Sequence, residues 1–449
     1  MTIEEERSVL DRLRDLLHGD NVAAARELLD DLHPADQADL FDSLDEDERQ
    51  TMVSLMDAEG VAHLLEHMDE DLRQEVAEEM PRAALAQILD RTENDIAVDI
   101  LRQMAPAEAA HTLGQMNTAA EVMPLLQHAD ETAGGIMTSG YVTLHKDMTV
   151  EEALAFLRAT KPPAGQAYYL YVLDGKNHLQ GVVSLRELVV ADPMAHIEDV
   201  METDVASVTA GTDQEEAARL LQHYRLRALP VVDAEGVLLG VITADDIIDV
   251  IQEEATEDMY KMAGVGVKEW VFSPLRESIV RRVPWLTFNM VWAFMGAAVI
   301  SLFKGTLEKA AEVAIFMPMI AGQAGNAGIQ TATIVVRSMA LGEVQLTDVA
   351  RVLGKEIALG ATKGLIFGSA LGLIAWLWQG NATLGLIAGG ALFLNMLIAG
   401  TAGVLIPMTL RRLGFDPATI AGVFDTMLTD LMGFLIYLGL ATIFVSKLQ

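Results

Sequence analysis

After Arg281-Arg282 the chain carries five long apolar stretches, roughly 283–303, 313–336, 357–378, 384–410 and 419–445. Each supplies the ~20 residues needed to cross a hydrocarbon core. The rest of the chain has another texture. Residues 276–449 hold twelve Lys/Arg and nine Asp/Glu out of 31 and 65 in the whole chain, which leaves 19 bases against 56 acids in residues 1–275. The first part is therefore −37 and the second +3. A field of that sign excludes a nucleic-acid binder, which needs a basic stripe for phosphates. No Cys is present and all ten His precede residue 276, so the spans offer neither thiolate nor imidazole to a soft metal. The opening MTIEEERSVLDRL is charged and amphipathic and does not read as a cleavable signal peptide. Five crossings put the termini on opposite sides. With the N-terminal part cytoplasmic, Arg276, Arg281, Arg282, Arg337, Arg351, Lys355, Arg411 and Arg412 fall inside and only Lys304, Lys309 and Lys447 outside, in keeping with the positive-inside bias.

The second span reads IFMPMIAGQAGNAGIQTATIVVRS. Gly322, Gly325 and Gly328 allow a neighbouring backbone to approach closely, and Pro318 predicts a kink. Asn326, Gln330, Thr331 and Thr333 place four polar side chains on one crossing, which is costly in lipid and natural along a wet path. In the fifth span Asp416-Pro417 reads as a helix cap. Asp430 lies ~21 Å further along that helix, deep in a core about 30 Å thick, where a carboxylate requires water, a partner or an ion. Lys363 in the third span is the available partner; the ion-path reading is the default. Asp425 points about 140° away from Asp430 on an ideal helix and is expected toward the cytoplasmic mouth.

In the soluble part, Leu32, Leu44, Met56, Met68, Met80, Thr92, Met104 and Met116 recur every twelve residues, each closing a short amphipathic helix with a capped start. Such helices are unstable alone, so stacking into an all-α superhelix is expected over 1–130. Asp95 and Asp99 form a like-charged i, i+4 pair there, either a solvated face or a surface for divalent cations. From Gly134 the pattern turns to strand and helix in two units, whose closing strands near Gly181 and Gly240 lie 59 residues apart. The LPVVD…G…GVIT pattern resembles the CBS module, so 131–250 is expected to be an α/β tandem CBS pair. That resemblance implies a regulatory unit binding an adenine nucleotide. Residues 251–275 are expected to form a connector helix. The stretch leading into and through it bears Asp245, Asp246, Asp249, Glu253, Glu254, Glu257 and Asp258, whose repulsion calls for a screening cation.

This order of parts, with a five-span membrane domain over 276–449, closely resembles the MgtE family of magnesium channels over essentially the whole chain. The carrying motifs are Pro318…Gly325-Asn326-Ala-Gly-Ile-Gln330-Thr-Ala-Thr, Arg411-Arg412-Leu-Gly-Phe-Asp416-Pro417, Thr429-Asp430 and EEATED before the membrane. The resemblance implies a homodimer in the bacterial plasma membrane with its pore between the two membrane domains. There Asp430 of each copy surrounds a hydrated Mg²⁺ and Asn326 lines the path. It further implies Mg²⁺ sensing, with closure when cytosolic Mg²⁺ is plentiful, at Glu215, Asp246, Asp249, Glu254, Glu257, Asp258, Asp95 and Asp99. It also implies an ATP site involving Tyr169, Arg186 and Glu187. This chain departs from the family pattern in having Ile329 in place of a second amide, Arg225 at the place of an acidic ligand and Leu226 where an aromatic ring could stack on adenine. The function expected is Mg²⁺ uptake gated by Mg²⁺. The rivals are passage of another divalent cation such as Co²⁺ or Ca²⁺, and a non-conducting sensor. A membrane-anchored enzyme would need a nucleophile and base, and the spans offer no His, no Cys and no recognisable triad.

Overall fold

The structure is a computed structural model describing residues 3–19, 21–163, 167–266, 269, 271 and 273–448, and it divides into two compact units, residues 1–251 and 252–449. Four positions of the expected connector, 267, 268, 270 and 272, lie outside the described residues.

Among the described residues, the first unit begins with ten helices: α1 (Ile3–His18), α2 (Val22–Asp30), α3 (Pro34–Asp42), α4 (Glu46–Leu55), α5 (Ala58–Glu66), α6 (Glu70–Glu79), α7 (Arg82–Leu89), α8 (Asn94–Gln103), α9 (Pro106–Leu113) and α10 (Ala119–Leu125). From α3 to α9 the helices start every twelve residues, the period of the sequence repeat. Local chemistry sets several of these starts. Asp45 accepts from the Glu48 N–H at 2.9 Å while Glu48 accepts from the Asp45 N–H at 3.0 Å, a reciprocal cap, and Asp57 accepts from the Gly60 N–H at 2.8 Å. Helices of eight to ten residues are held by packing rather than by propensity. Accordingly α3, α5, α7 and α9 stack in one row, and the repeat residues Leu44, Met68, Met80, Met104 and Met116 are buried in one core.

Two similar three-stranded sheets follow. The first comprises β1 (Val142–His145), α11 (Val150–Thr160), β2 (Tyr169–Leu173), β3 (Leu179–Ser184) and α12 (Leu185–Val190), then the short α13 (Ile197–Val200). The second comprises β4 (Val208–Thr209), α14 (Gln214–Tyr224), β5 (Ala228–Val232), β6 (Leu238–Thr243) and α15 (Ala244–Ala263). In each, the first strand pairs parallel with the second, and the second antiparallel with the third. Arg225 takes the left-handed C-cap of α14 at φ 54°, a backbone role at the position where sequence reading looked for an acidic ligand. Helix α15 starts at Ala244, inside the stretch assigned to the CBS pair, because Asp246 caps it by accepting from the Thr243 N–H at 3.0 Å and from the Thr243 hydroxyl.

The second unit contains α16 (Leu275–Leu302), the short α17 (Lys304–Lys309), α18 (Val313–Ala340), α19 (Val349–Gln379), α20 (Ala382–Arg412), α21 (Pro417–Ile443) and the short α22 (Val445–Leu448). Among the described residues, four helical stretches, Leu275–Leu302, Leu346–Gln379, Ala382–Arg412 and Ala421–Ile443, are long and apolar enough to cross a bilayer. Sequence reading expected five. Helix α18 has the length, 28 residues, but its glycines and amides lower its hydropathy. The closest packing joins α19 to α20: a Cβ at Gly368 would come within 2.7 Å of the Gly389 carbonyl oxygen, so small residues set the distance between these helices.

Candidate functional site

Within the first unit, Glu93 at the start of α8, Asp95 in its first turn and Asp246 in the first turn of α15 bring carboxylate oxygens within 4.8 Å of one another. Asp95 is buried, and its Oδ1 has no hydrogen-bond partner. Burial raises Asp95 well above the usual carboxylate range, with repulsion from Asp246, Glu93 and Asp99 adding to it, and burial likewise raises Asp246. Partial burial, then repulsion from Glu66, Asp246 and Asp245, pushes Glu93 up to about 7. Three crowded oxygen donors suit a hard cation that keeps some of its water. The sequence pointed to Asp95 and Asp246 but missed Glu93. Its signal was there: Glu93 takes the helix-start position that Asp45 and Asp57 fill in their repeats, yet makes no side-chain cap.

Other expected sensing residues lie apart from this trio. Asp99 faces Arg73 at 3.9 Å and Arg102 at 3.7 Å, and burial, opposed by Arg73, pushes it up to about 7. Asp249 is exposed, and burial of part of its surface raises it while Arg73 pulls the other way. Glu215 stands in the first turn of α14, its N–H donating to Asp213 at 2.9 Å. Glu254, Glu257 and Asp258 share the C-terminal half of α15. There the Lys261 amine pairs with Glu257 and, at 2.8 Å, with Asp416. Asp416 also caps α21 by accepting from the Ala418 N–H at 2.8 Å, so one carboxylate serves both helices. Burial and then Asp416 raise Asp258, with Lys261 opposing. Part of the screening that sequence reading asked of a cation is thus supplied here by a lysine of the chain itself.

Asp430 stands at the middle of the 27-residue α21, half-buried; among the described residues no ion pair joins it to Lys363 or any other base. On α18 the exposed positions Gly322, Gln323, Asn326, Ile329, Gln330, Thr333 and Arg337 recur at helical spacing, while Ile320, Ala324, Ala327, Gly328 and Thr331 are buried on the other side. Asn326 is therefore on the open polar face. Thr331 is not: it is buried, and its hydroxyl donates to the buried Glu356 on α19 at 2.9 Å. Asp425, expected toward the mouth, is fully buried, and among the described residues neither of its carboxylate oxygens has a hydrogen-bond partner. A Cβ at Gly328 would come within 1.5 Å of Asp425 Oδ2, so only glycine leaves room for this acid. The difference follows from the helix: the rotation that opens Asp430 turns Asp425 into the packing.

Of the expected nucleotide residues, Tyr169 lies on β2 and Arg186 and Glu187 in the exposed first turn of α12. Glu187 is engaged in a reciprocal cap with Ser184, accepting from its N–H and hydroxyl at 2.8 Å each. Leu226 packs against the core of the first unit. The neighbouring Tyr168 carries the Arg227 guanidinium over its ring at 5.3 Å, a stacked surface that the sequence did not reveal.

Membrane-length helices, a mid-helix carboxylate beside a polar-faced helix, and a carboxylate trio in the acidic first unit point to the class of cation transporters. Family models match 317–440 (divalent cation transporter), 32–131 (MgtE intracellular N domain), and 133–193 and 197–253 (CBS domain). The chain is 37% identical to the magnesium transporter MgtE of Thermus thermophilus, over 99% of this chain and 100% of the relative. It is 39% identical to that of Enterococcus faecalis, over 73% and 72%. A crystal structure of the cytosolic domain of the Mg²⁺ channel MgtE in complex with ATP matches 54% of this chain and 99% of its own, at 38% identity and TM-score 0.51. The chain belongs to the MgtE family of magnesium transporters.

Proposed function

We propose that this protein is a Mg²⁺-permeable channel of the bacterial plasma membrane, working as a homodimer with its N-terminal domains in the cytoplasm and mediating Mg²⁺ uptake. The carrying observation is the polar face of α18, open on the single chain, beside a helix with an unpaired carboxylate at its centre. Amides facing lipid are costly; a second copy across a two-fold axis would turn the same face to a wet path. In this reading α18 is the fifth crossing, and the domains are the superhelical 1–130, the CBS pair 131–250, the connector 251–275 and the membrane domain 276–449.

Mg²⁺ gives up water reluctantly, so the path offers outer-sphere oxygens, from two copies of Asp430 and Asn326, rather than a full cage. Asp430 supplies charge where Mg²⁺ most lacks solvent, and Asn326 accepts hydrogen bonds from the ion's water. Cytosolic Mg²⁺ gates the path by binding to the state in which acidic surfaces are close. The trio Glu93, Asp95 and Asp246 forms one sensing site, and Glu254, Glu257 and Asp258 contribute a second. Asp99, Asp249 and Glu215 add field around these. ATP bound by a relative's cytosolic domain supports a modulating nucleotide at the CBS pair, near Tyr169, Arg186 and Glu187. The test is Mg²⁺ uptake into liposomes with an internal indicator. Asp430→Ala is expected to abolish uptake. Wild-type uptake in that variant removes the path, uptake of Co²⁺ without Mg²⁺ changes the ion, and no uptake in either protein makes the chain a sensor.

A further inference from the structure

Asn395 is fully buried in the middle of α20, yet its side chain belongs to a contact among three helices. Its Nδ2 donates to the Thr429 carbonyl on α21 at 3.0 Å and to the Ile320 carbonyl on α18 at 3.3 Å. Thr429 is the residue before Asp430, and its own hydroxyl is used inside α21, donating to the Asp425 and Thr426 carbonyls at 2.9 Å each. The Thr429 carbonyl is therefore the point nearest Asp430 at which a side chain of another helix bonds α21, which Tyr437 also ties to the Val313 carbonyl at 2.9 Å further along. Two glycines make the contact possible. A Cβ at Gly433 would stand 2.6 Å from Asn395 Nδ2, and one at Gly325, next to Asn326, would meet Thr426 and Thr429 at 3.4 and 3.7 Å. A buried amide is costly unless bonded, and here both donor hydrogens end on backbone oxygens of the two helices that carry Asp430 and Asn326, while among the described residues its Oδ1 has no hydrogen-bond partner.

We infer that Asn395 is the positioning residue of the ion path: through the Thr429 and Ile320 carbonyls it sets the rotation and height of α21 against α18, and so where Asp430 stands relative to Asn326. This rests on the function proposed above. An apolar residue of the same size would fill the space but would leave the Thr429 and Ile320 carbonyls without its two donors, so the register of α21 against α18 would rest on packing alone, including the fit of Asp425 against Gly328. A hydrated ion is sorted by the spacing of its oxygens, so the consequence of losing the amide falls on selectivity as well as on rate.

The experiment compares wild type, Asn395→Leu, Gly433→Ala and Asp430→Asn in liposomes, following Mg²⁺ and Ca²⁺ uptake in parallel, with elution profile and Tm as checks of folding. Asn395→Leu is expected to elute as wild type, to lose about tenfold in Mg²⁺ uptake, and to lower the ratio of Mg²⁺ to Ca²⁺ uptake severalfold. Gly433→Ala, which displaces the amide from the other side, is expected to lower the same ratio, and it decides the matter if Asn395→Leu does not fold. Equal proportional loss of both ions with an unchanged ratio, or wild-type behaviour in both variants, overturns the assignment. Wild-type Mg²⁺ uptake by Asp430→Asn would instead overturn the path itself, whatever Asn395 does.

Discussion

Glu93, Asp95 and Asp246 have no lysine or arginine in ion pair with them among the described residues, so their mutual repulsion is met by protons or by a cation. Glu93 shifts from 4.5 to about 7 on folding. Between those pH values the folded chain holds the extra proton, so stability falls as pH rises through the window, and the loss is complete above it. Asp95 and Asp246, also raised, act in the same direction. Because Glu93 keeps contact with water, the effect is expected to be only about 1 kcal/mol, which moves Tm by a few degrees. With divalent cations chelated, the Tm of the soluble part is expected to fall between about pH 5 and pH 7.5, to fall less in Glu93→Gln, and to become flat in millimolar Mg²⁺. A Tm that rises with pH under chelation would contradict the clustering. Asp95 was legible in the sequence as an acid on a short helix. Its burial and its meeting with Asp246, more than a hundred residues away in sequence, were not, because a repeat pattern fixes a helix face and not what covers it.

At the scale of elements, the twelve-residue period matches the spacing of the helix starts from α3 to α9, since the apolar end residue is a local signal; side-chain caps accompany it at α3, α4 and α5 but not at α6 to α9. The two βαββ units were legible for the same reason. Helix α15 was legible as an acidic helical stretch, but the partner of its lysine was not. Lys261 ties α15 to the Asp416 cap of α21, so the helix is clamped to a membrane-domain helix by a cation belonging to the chain itself. In Lys261→Met, Glu257, Asp258 and Asp416 face one another with that charge gone. Amide exchange over 252–263 is then expected to rise at low Mg²⁺ by roughly tenfold, and to return toward wild type as Mg²⁺ is added. Exchange that is identical in the two proteins without Mg²⁺ would remove the clamp. Helix α18 shows the opposite kind of failure: the residues that make it a candidate path wall also drop it below the hydropathy of its four neighbours.

For the whole molecule, −37 before the membrane helices and +3 among them is a division of labour. In the function proposed above, a divalent cation that binds one arrangement of these acids more tightly than another shifts the population toward it. Neutralising Glu254, Glu257 and Asp258 together is expected to leave conduction intact and to raise the cytosolic Mg²⁺ concentration needed for half-inhibition by about tenfold. A superimposable inhibition curve would remove these acids from sensing. The sequence by itself determined the segregation of charge from apolar length, the repeat period, the CBS pattern and the mid-helix aspartate, because each is written in residue type and spacing along one chain. Only the tertiary structure decided which acids meet, that Glu93 joins Asp95 while Asp99 turns to arginines, that Asp425 is sealed against Gly328, and that Asn395 holds the backbone beside Asp430. Those are contacts between residues far apart in the chain, set by how faces pack, and no local periodicity encodes them.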